Sequence, residues 1–230
     1  MTAGGIGARI EALADDAWLL RFAPADDANA RAHALAARLR GEAPAWLRDL
    51  VPGWDSLGVC FDPSAVSADA VRAWLLAQRD DAPAAATATA PVVEIPVRYG
   101  GDHGLDLDAA ADALGLSPAR LIERHAAPLY TVAMIGFAPG FPYLAGLDPA
   151  LALPRLATPR SRVPAGSVGI GGAQTGIYPR ESPGGWRLLG RTPLRLFDPA
   201  RASPSLLTPG DRVRFVAIDD ATFAALERGA

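Results

Sequence analysis

The residues with the most chemistry to offer lie between Arg155 and Arg195. Here Arg155, Arg160, Arg162, Arg180, Arg187, Arg191 and Arg195 stand among glycines, prolines and small hydroxyls. A guanidinium is a planar fork that binds carboxylate or phosphate through two parallel N–H bonds. Several forks on the rigid loops of one face would make an anion-binding wall, and stiff Gly-Pro loops are expected where geometry matters. Arg160 and Arg162 are two residues apart and follow Pro159, so an extended segment puts both side chains on one face. A solvated basic surface is the alternative, and the pattern leaves both open.

Other motifs narrow the chemistry by failing. Ala165-Gly166-Ser167-Val168-Gly169 approaches a nucleophile elbow. An elbow needs a helix after the Ser and a His later in the chain. Here Gly171, Gly172, Gly176 and Pro179 follow, and His33, His103 and His125 all precede. Ser167 therefore reads as a structural or substrate-contacting hydroxyl. The run from Gly169 to Gln174 is one residue short of a dinucleotide fingerprint, with no helix behind it to receive a pyrophosphate. Its glycines suit the close approach of a ligand or a partner backbone. All 22 basic residues are arginine, and the missing lysine removes P-loop, kinase, Schiff-base and S-x-x-K chemistries. Asp102, His103, Asp106 and Asp108 lack metal-ligand spacing and read as a turn and a helix N-terminus, so no metal is expected. Cys60 is the one cysteine, which excludes an internal disulfide, and it falls in an apolar strand as a buried thiol. His125 follows Leu121 and Ile122 at helical spacing, either as a core histidine or as a proton-handling group.

The elements that must position these residues fall into two patterns. The charge balance, 22 basic against 25 acidic, carries no basic block and argues against nucleic acid. No apolar run is long enough to span a bilayer, and acidic residues interrupt the N-terminus, so a soluble cytoplasmic protein is expected. The stretch from Ala82 to Pro91, small residues bracketed by prolines, reads as a linker. Before it, strands at Ala17–Phe22, Trp46–Val51 and Ser56–Phe61 alternate with helices. The first helix is capped by Asp26 or Asp27 and carries the stripe Ala28, Ala32, Leu35, Ala36, Leu39; the second is capped by Ser67. With Val92–Tyr99 available as a last strand, this order predicts a small ferredoxin-like α+β unit. After the linker, Asp106 and Ser117-Pro118 open two short helices. From Leu129 onward only short strands are expected, at Leu129–Ile135, Ser167–Ile170, Trp186–Leu189, Leu194–Phe197 and Arg212–Ile218. Such a series predicts a barrel or sandwich.

Several runs then carry a resemblance. They are Ile95 to Gly101, His125 to Tyr130, Gly136 to Leu144, Thr158-Pro159-Arg160, Arg162 to Ile170, Gln174 to Pro179, Ser182 to Trp186, and Gly190 to Pro193. In this order they resemble the family of the B component of bacterial ATP-dependent 5-oxoprolinase, also labelled allophanate hydrolase subunit 1. Its members carry carboxyltransferase subdomains C and D and include an inhibitor of a sporulation histidine kinase. The resemblance covers almost the whole chain. It implies an α+β protein with a ferredoxin-like domain at residues 1–86 and a cyclophilin-like β-barrel at 87–230. It implies opening of 5-oxo-L-proline to L-glutamate with ATP, in a complex with a carboxyltransferase-like subunit and a lactam-processing subunit. ATP would sit on a partner or at a shared site. Within that reading Arg160, Arg162 and Arg191 would bind a carboxylate or phosphate. Gln174, Thr175 and Tyr178 would orient the amide, Ser167 and Thr192 would contact substrate, and His125 would handle a proton or brace the loop Phe137–Tyr143. Ala126 departs from the Ser that the family pattern places after the histidine. A kinase-inhibiting regulator and a subunit of a urea-type amidohydrolase are the rival readings; prolyl isomerase follows from the barrel fold alone and is weaker.

Overall fold

The computed structural model describes residues 7–25, 27–78 and 92–229. The expected linker at 82–91 and Asp26 lie outside them. The chain divides into two compact units, Met1–Thr89 and Ala90–Ala230.

The first unit is a four-stranded antiparallel sheet with two helices. Strands β1 (Ala8–Ala14), β2 (Ala17–Phe22), β3 (Leu47–Pro52) and β4 (Ser56–Phe61) stand in the order β1-β2-β4-β3. Helix α1 (Ala28–Gly41) buries all five residues of its expected stripe. Helix α2 (Ala68–Leu76) starts where Ser67 Oγ accepts the Ala70 N–H at 3.2 Å. Alternate residues of β2 and β4 (Leu20, Phe22, Leu57, Val59, Phe61) meet Leu35, Leu39, Val71 and Leu75 in one core. β2 and β3 run parallel with β4 between them, which is the split βαβ of a ferredoxin-like sheet. The outer place beside β2 is filled differently from expectation. Val92–Tyr99 does not come back to it; the upstream hairpin strand β1 takes it instead. Cys60, on β4, is half-buried, and its thiol is pushed up by burial first and by Asp49 and Asp16 after that, which disfavours the thiolate.

Val92–Tyr99 is β5, the first strand of the second unit. A closed barrel runs β10-β7-β6-β13-β5-β12-β9. Its strands are β5, β6 (Tyr130–Ile135), β7 (Pro142–Ala145), β9 (Ser167–Gly171), β10 (Gln174–Ile177), β12 (Arg187–Arg191) and β13 (Arg212–Ala217). A separate ribbon pairs β8 (Arg160–Val163) with β11 (Ser182–Gly184). β5 and β13 are parallel, with Ile95 opposite Phe215. Ile95, Val97, Val132, Leu144, Ile170, Leu189 and Phe215 fill the interior. Helix α3 (Leu107–Leu114) ends at Gly115, whose φ of 65° an L side chain adopts only at a cost. Helix α4 (Pro118–Ala126) starts at Ser117, whose Oγ accepts the Arg120 N–H.

Two expectations fail here. Leu194–Phe197 is no strand; Leu196 O accepts the Leu206 N–H, and only an isolated bridge joins Phe197 to Ser205. The last described element is a helix, α5 (Asp220–Gly229), where only strands and turns were expected. It buries Phe223 against the His103 ring at 4.3 Å, a contact its short sequence does not announce. If β5 belongs to the barrel, Ile95→Ala should cost about 2–5 kcal/mol of barrel stability. Hydrogen exchange should then speed up in β12 and β13 while β2 and β4 keep their protection; faster exchange in β2 and β4 would put the strand in the other sheet.

Candidate functional site

His125 sits at the end of α4 with no exposed surface. Its Nδ1 lies 2.9 Å from the Tyr99 hydroxyl and its Nε2 2.9 Å from Thr175 Oγ1. Thr175 donates its one hydroxyl proton to Gly169 O at 3.0 Å. It must therefore accept from Nε2–H, which leaves Nδ1 bare to accept from Tyr99. The tautomer follows from counting protons. The ring also stacks on Phe215 at 4.8 Å. Burial pushes the imidazole down to about 3 and holds the Tyr99 hydroxyl well above the usual tyrosine range. A neutral, fully bonded ring inside a barrel cannot reach a substrate. His125 and Thr175 are core residues, which corrects the catalytic and amide-orienting roles expected of them.

Nor do Arg160, Arg162 and Arg191 assemble into one anion site. Arg160 closes both N–H bonds on Asp106, at 2.9 and 2.7 Å, and Asp106 also accepts the Leu188 N–H at 2.7 Å. One nearly buried carboxylate thus joins the start of α3, β8 and β12. Arg162 forks onto Glu181 at 3.0 and 2.9 Å in solvent. Arg191 donates to Ala165 O at 2.8 Å and lies 3.4 Å from Glu227. Each fork faces a different protein acceptor, so the three do not converge on one ligand. Ser167 is buried in β9, where its carbonyl accepts the Tyr178 N–H. Gln174 is half-buried opposite Gly171 at the β9–β10 turn. Arg191 and Thr192 line an open cavity of about 390 Å³ together with Arg180, Glu181, Arg195 and Asp198.

Gly171 and Gly184 make room for aromatic side chains. A Cβ on Gly171 would lie 2.4 Å from Trp186 Nε1, and one on Gly184 would lie 2.4 Å from the Tyr178 hydroxyl oxygen. They seat a cluster apart from the barrel core, in which Phe141 packs edge-on to Tyr178 at 5.2 Å and to Trp186 at 5.5 Å. Phe137 is held at φ 64°, a conformation costly for a bulky residue, and stays 61% exposed at the rim. Together with Tyr143 and Arg155 these rings enclose a second cavity of about 230 Å³. Of the expected site residues Tyr178 lines it, and so does Arg155 of the expected arginine wall. Phe137, Phe141, Tyr143 and Trp186 were not singled out as binding residues, and the signal that marks them is aromatic residues set beside glycines and prolines.

The class these observations define is a two-unit scaffold whose cavities offer aromatic walls and guanidinium donors. A model of the carboxyltransferase domain, subdomain C and D, matches residues 8–207. The B component of 5-oxoprolinase from Bacillus subtilis (strain 168) is 39% identical over 229 residues, covering 94% of this chain and 95% of that one. The Haemophilus influenzae protein of the same name is 59% identical over 124 residues, 54% of this chain and 58% of the relative. The crystal structure of TTHA0988 superposes with a TM-score of 0.77 at 44% identity, covering 88% of this chain; the chain spans only 40% of that longer protein. This chain belongs to the carboxyltransferase subdomain C and D family, and its full-length curated relative is a subunit of a hydrolase complex.

Two outcomes follow from this geometry. The folded state keeps His125 neutral down to about pH 3, whereas the unfolded histidine protonates near 6.5. Its stabilisation is full above about pH 6.5 and drains as pH falls from there toward 3. Between pH 6.5 and 5 the wild type should lose stability at a slope approaching about 1.4 kcal/mol per pH unit, and His125→Gln should flatten that slope. Arg160→Lys should cost about 1–3 kcal/mol by breaking the fork onto Asp106, while Arg162→Lys should leave the melting temperature where it was. Equal melts for the two would show that the Asp106 clamp carries no load.

Proposed function

We propose that this chain is a non-autonomous subunit of a cytoplasmic ATP-dependent 5-oxoprolinase that converts 5-oxo-L-proline to L-glutamate. It would act with a carboxyltransferase-like subunit and a separate lactam-processing subunit. The observation that carries the reading is the chemistry of the two cavities. Among the described residues, neither presents a group ready to move a proton near neutrality. Burial raises the Tyr143 and Tyr178 hydroxyls above the ordinary tyrosine range. Glu181 is lowered by its hydrogen bond from Arg162, and Asp198 by the Ala200 N–H and then Arg195. Such carboxylates are weak bases, and His125 is out of reach. A site that binds and orients but lacks a base needs a second chain to complete it. The full-length relative is itself named as one subunit of its enzyme, which supports the same reading.

ATP fits that division. Gly169, Gly171 and Gly176 belong to the paired strands β9 and β10 and Gly172 to the turn between them, with no helix N-terminus behind them to receive a phosphate. Phosphorylating a lactam oxygen would turn a poor electrophile into a good one. In our reading the nucleotide binds on a partner or at the shared face, and this chain presents the ring. The purified chain should show no 5-oxoproline-dependent ATP turnover, and adding the partner subunits should create it. Robust turnover by the chain alone would overturn the shared site.

A further inference from the structure

The aromatic cavity of the second unit contains a cation that no acidic side chain pairs with among the described residues. Arg160, Arg162, Arg191 and Arg195 each face a carboxylate. Arg155 has no ion pair among the described residues; its guanidinium stands 6.0 Å from the centre of the Trp186 ring. Among the described residues no acidic side chain lines the cavity. Tyr143 and Tyr178 also line it; the Tyr178 hydroxyl accepts the Trp186 backbone N–H, and among the described residues no side-chain hydrogen bond takes a proton from either hydroxyl. The walls are aromatic rings packed edge-on to one another, with Phe137 raised at the rim on a strained backbone. The space, about 230 Å³, falls below the roughly 300–1,000 Å³ of sites for larger ligands.

These features select a ligand. The lone guanidinium repels cations and asks for one anionic group, and a carboxylate matches its fork. The aromatic walls ask for something small and largely apolar. Two unused O–H donors ask for a carbonyl acceptor. A nucleotide is too large and too highly charged for a single arginine. We infer that this cavity binds a small cyclic carboxylate that also carries a ring carbonyl. Its carboxylate lies on Arg155, its ring against Trp186 and Phe141, and its carbonyl toward the hydroxyls of Tyr143 and Tyr178. In the reaction proposed above, on which this assignment of substrate rests, that ligand is 5-oxoproline itself. The chain would thus hold the lactam rather than the nucleotide.

The test is calorimetric titration of 5-oxo-L-proline into the full chain and into the reconstituted complex. 2-Pyrrolidinone, which lacks the carboxylate, and cyclopentanecarboxylate, which lacks the ring carbonyl, serve as comparisons. 5-Oxoproline should bind more tightly than either. Arg155→Met should weaken it roughly 10- to 100-fold, as loss of a charge-assisted pair does, and should leave pyrrolidinone binding unchanged. Tyr143→Phe should weaken 5-oxoproline but not cyclopentanecarboxylate. Arg155 is exposed and has no ion pair among the described residues, so its variant should melt with the wild type. Wild-type affinity in Arg155→Met, or pyrrolidinone binding as tightly as 5-oxoproline, overturns the site. So does the absence of binding to both chain and complex. If the Arg155→Met complex turns over 5-oxoproline with an unchanged KM, the site falls and the proposed activity stands. If the complex does not turn over 5-oxoproline yet cyclic acids still bind through Arg155, the activity falls and the site stands.

Discussion

Closure of the barrel is the constraint on which the second unit depends. A sheet with open edges must cover or pair its unpaired backbone groups, and here the parallel pairing of β5 with β13 makes the join. That join brings the first strand of the unit beside its last. It takes Val92–Tyr99 away from the ferredoxin-like sheet and leaves β1 to fill the outer place there. A parallel pair needs a long crossover, and the whole of the intervening chain, both cavities included, is that crossover.

A closed interior also dictates what happens to polar groups inside it. An unpaired buried hydroxyl or imidazole costs more than a bond gains. Tyr99, His125, Thr175 and Gly169 O therefore form one chain of donors and acceptors with no proton left over. The same rule acts at the surface of the barrel, where Asp106 gathers Arg160 and the Leu188 N–H. Residues that look like catalytic equipment are consumed in satisfying the fold.

What remains for function stands outside the barrel core. The cluster of Phe141, Tyr178 and Trp186 is a second, smaller hydrophobic group. Glycines at 171 and 184 let the rings come close enough to hold one another in place. A preformed rigid wall lowers the ordering cost of binding a small ligand. The cost is stored locally, in the left-handed backbone of Phe137.

The sequence by itself determined what depends on near neighbours. The stripe of α1, the Ser67 and Ser117 caps and the strands at Ala17–Phe22 and Ser56–Phe61 all rest on contacts within a few residues, which periodicity and capping chemistry expose. The motif order was legible too, because it is a string of short runs. The tertiary structure decided the partners. Arg160 meets Asp106 across 54 positions, and His125 meets Thr175 across 50. No local pattern distinguishes an arginine awaiting a ligand from one already holding a carboxylate. The difference between the occupied forks and Arg155 lies in three-dimensional proximity, which chain closure sets and spacing along the sequence does not.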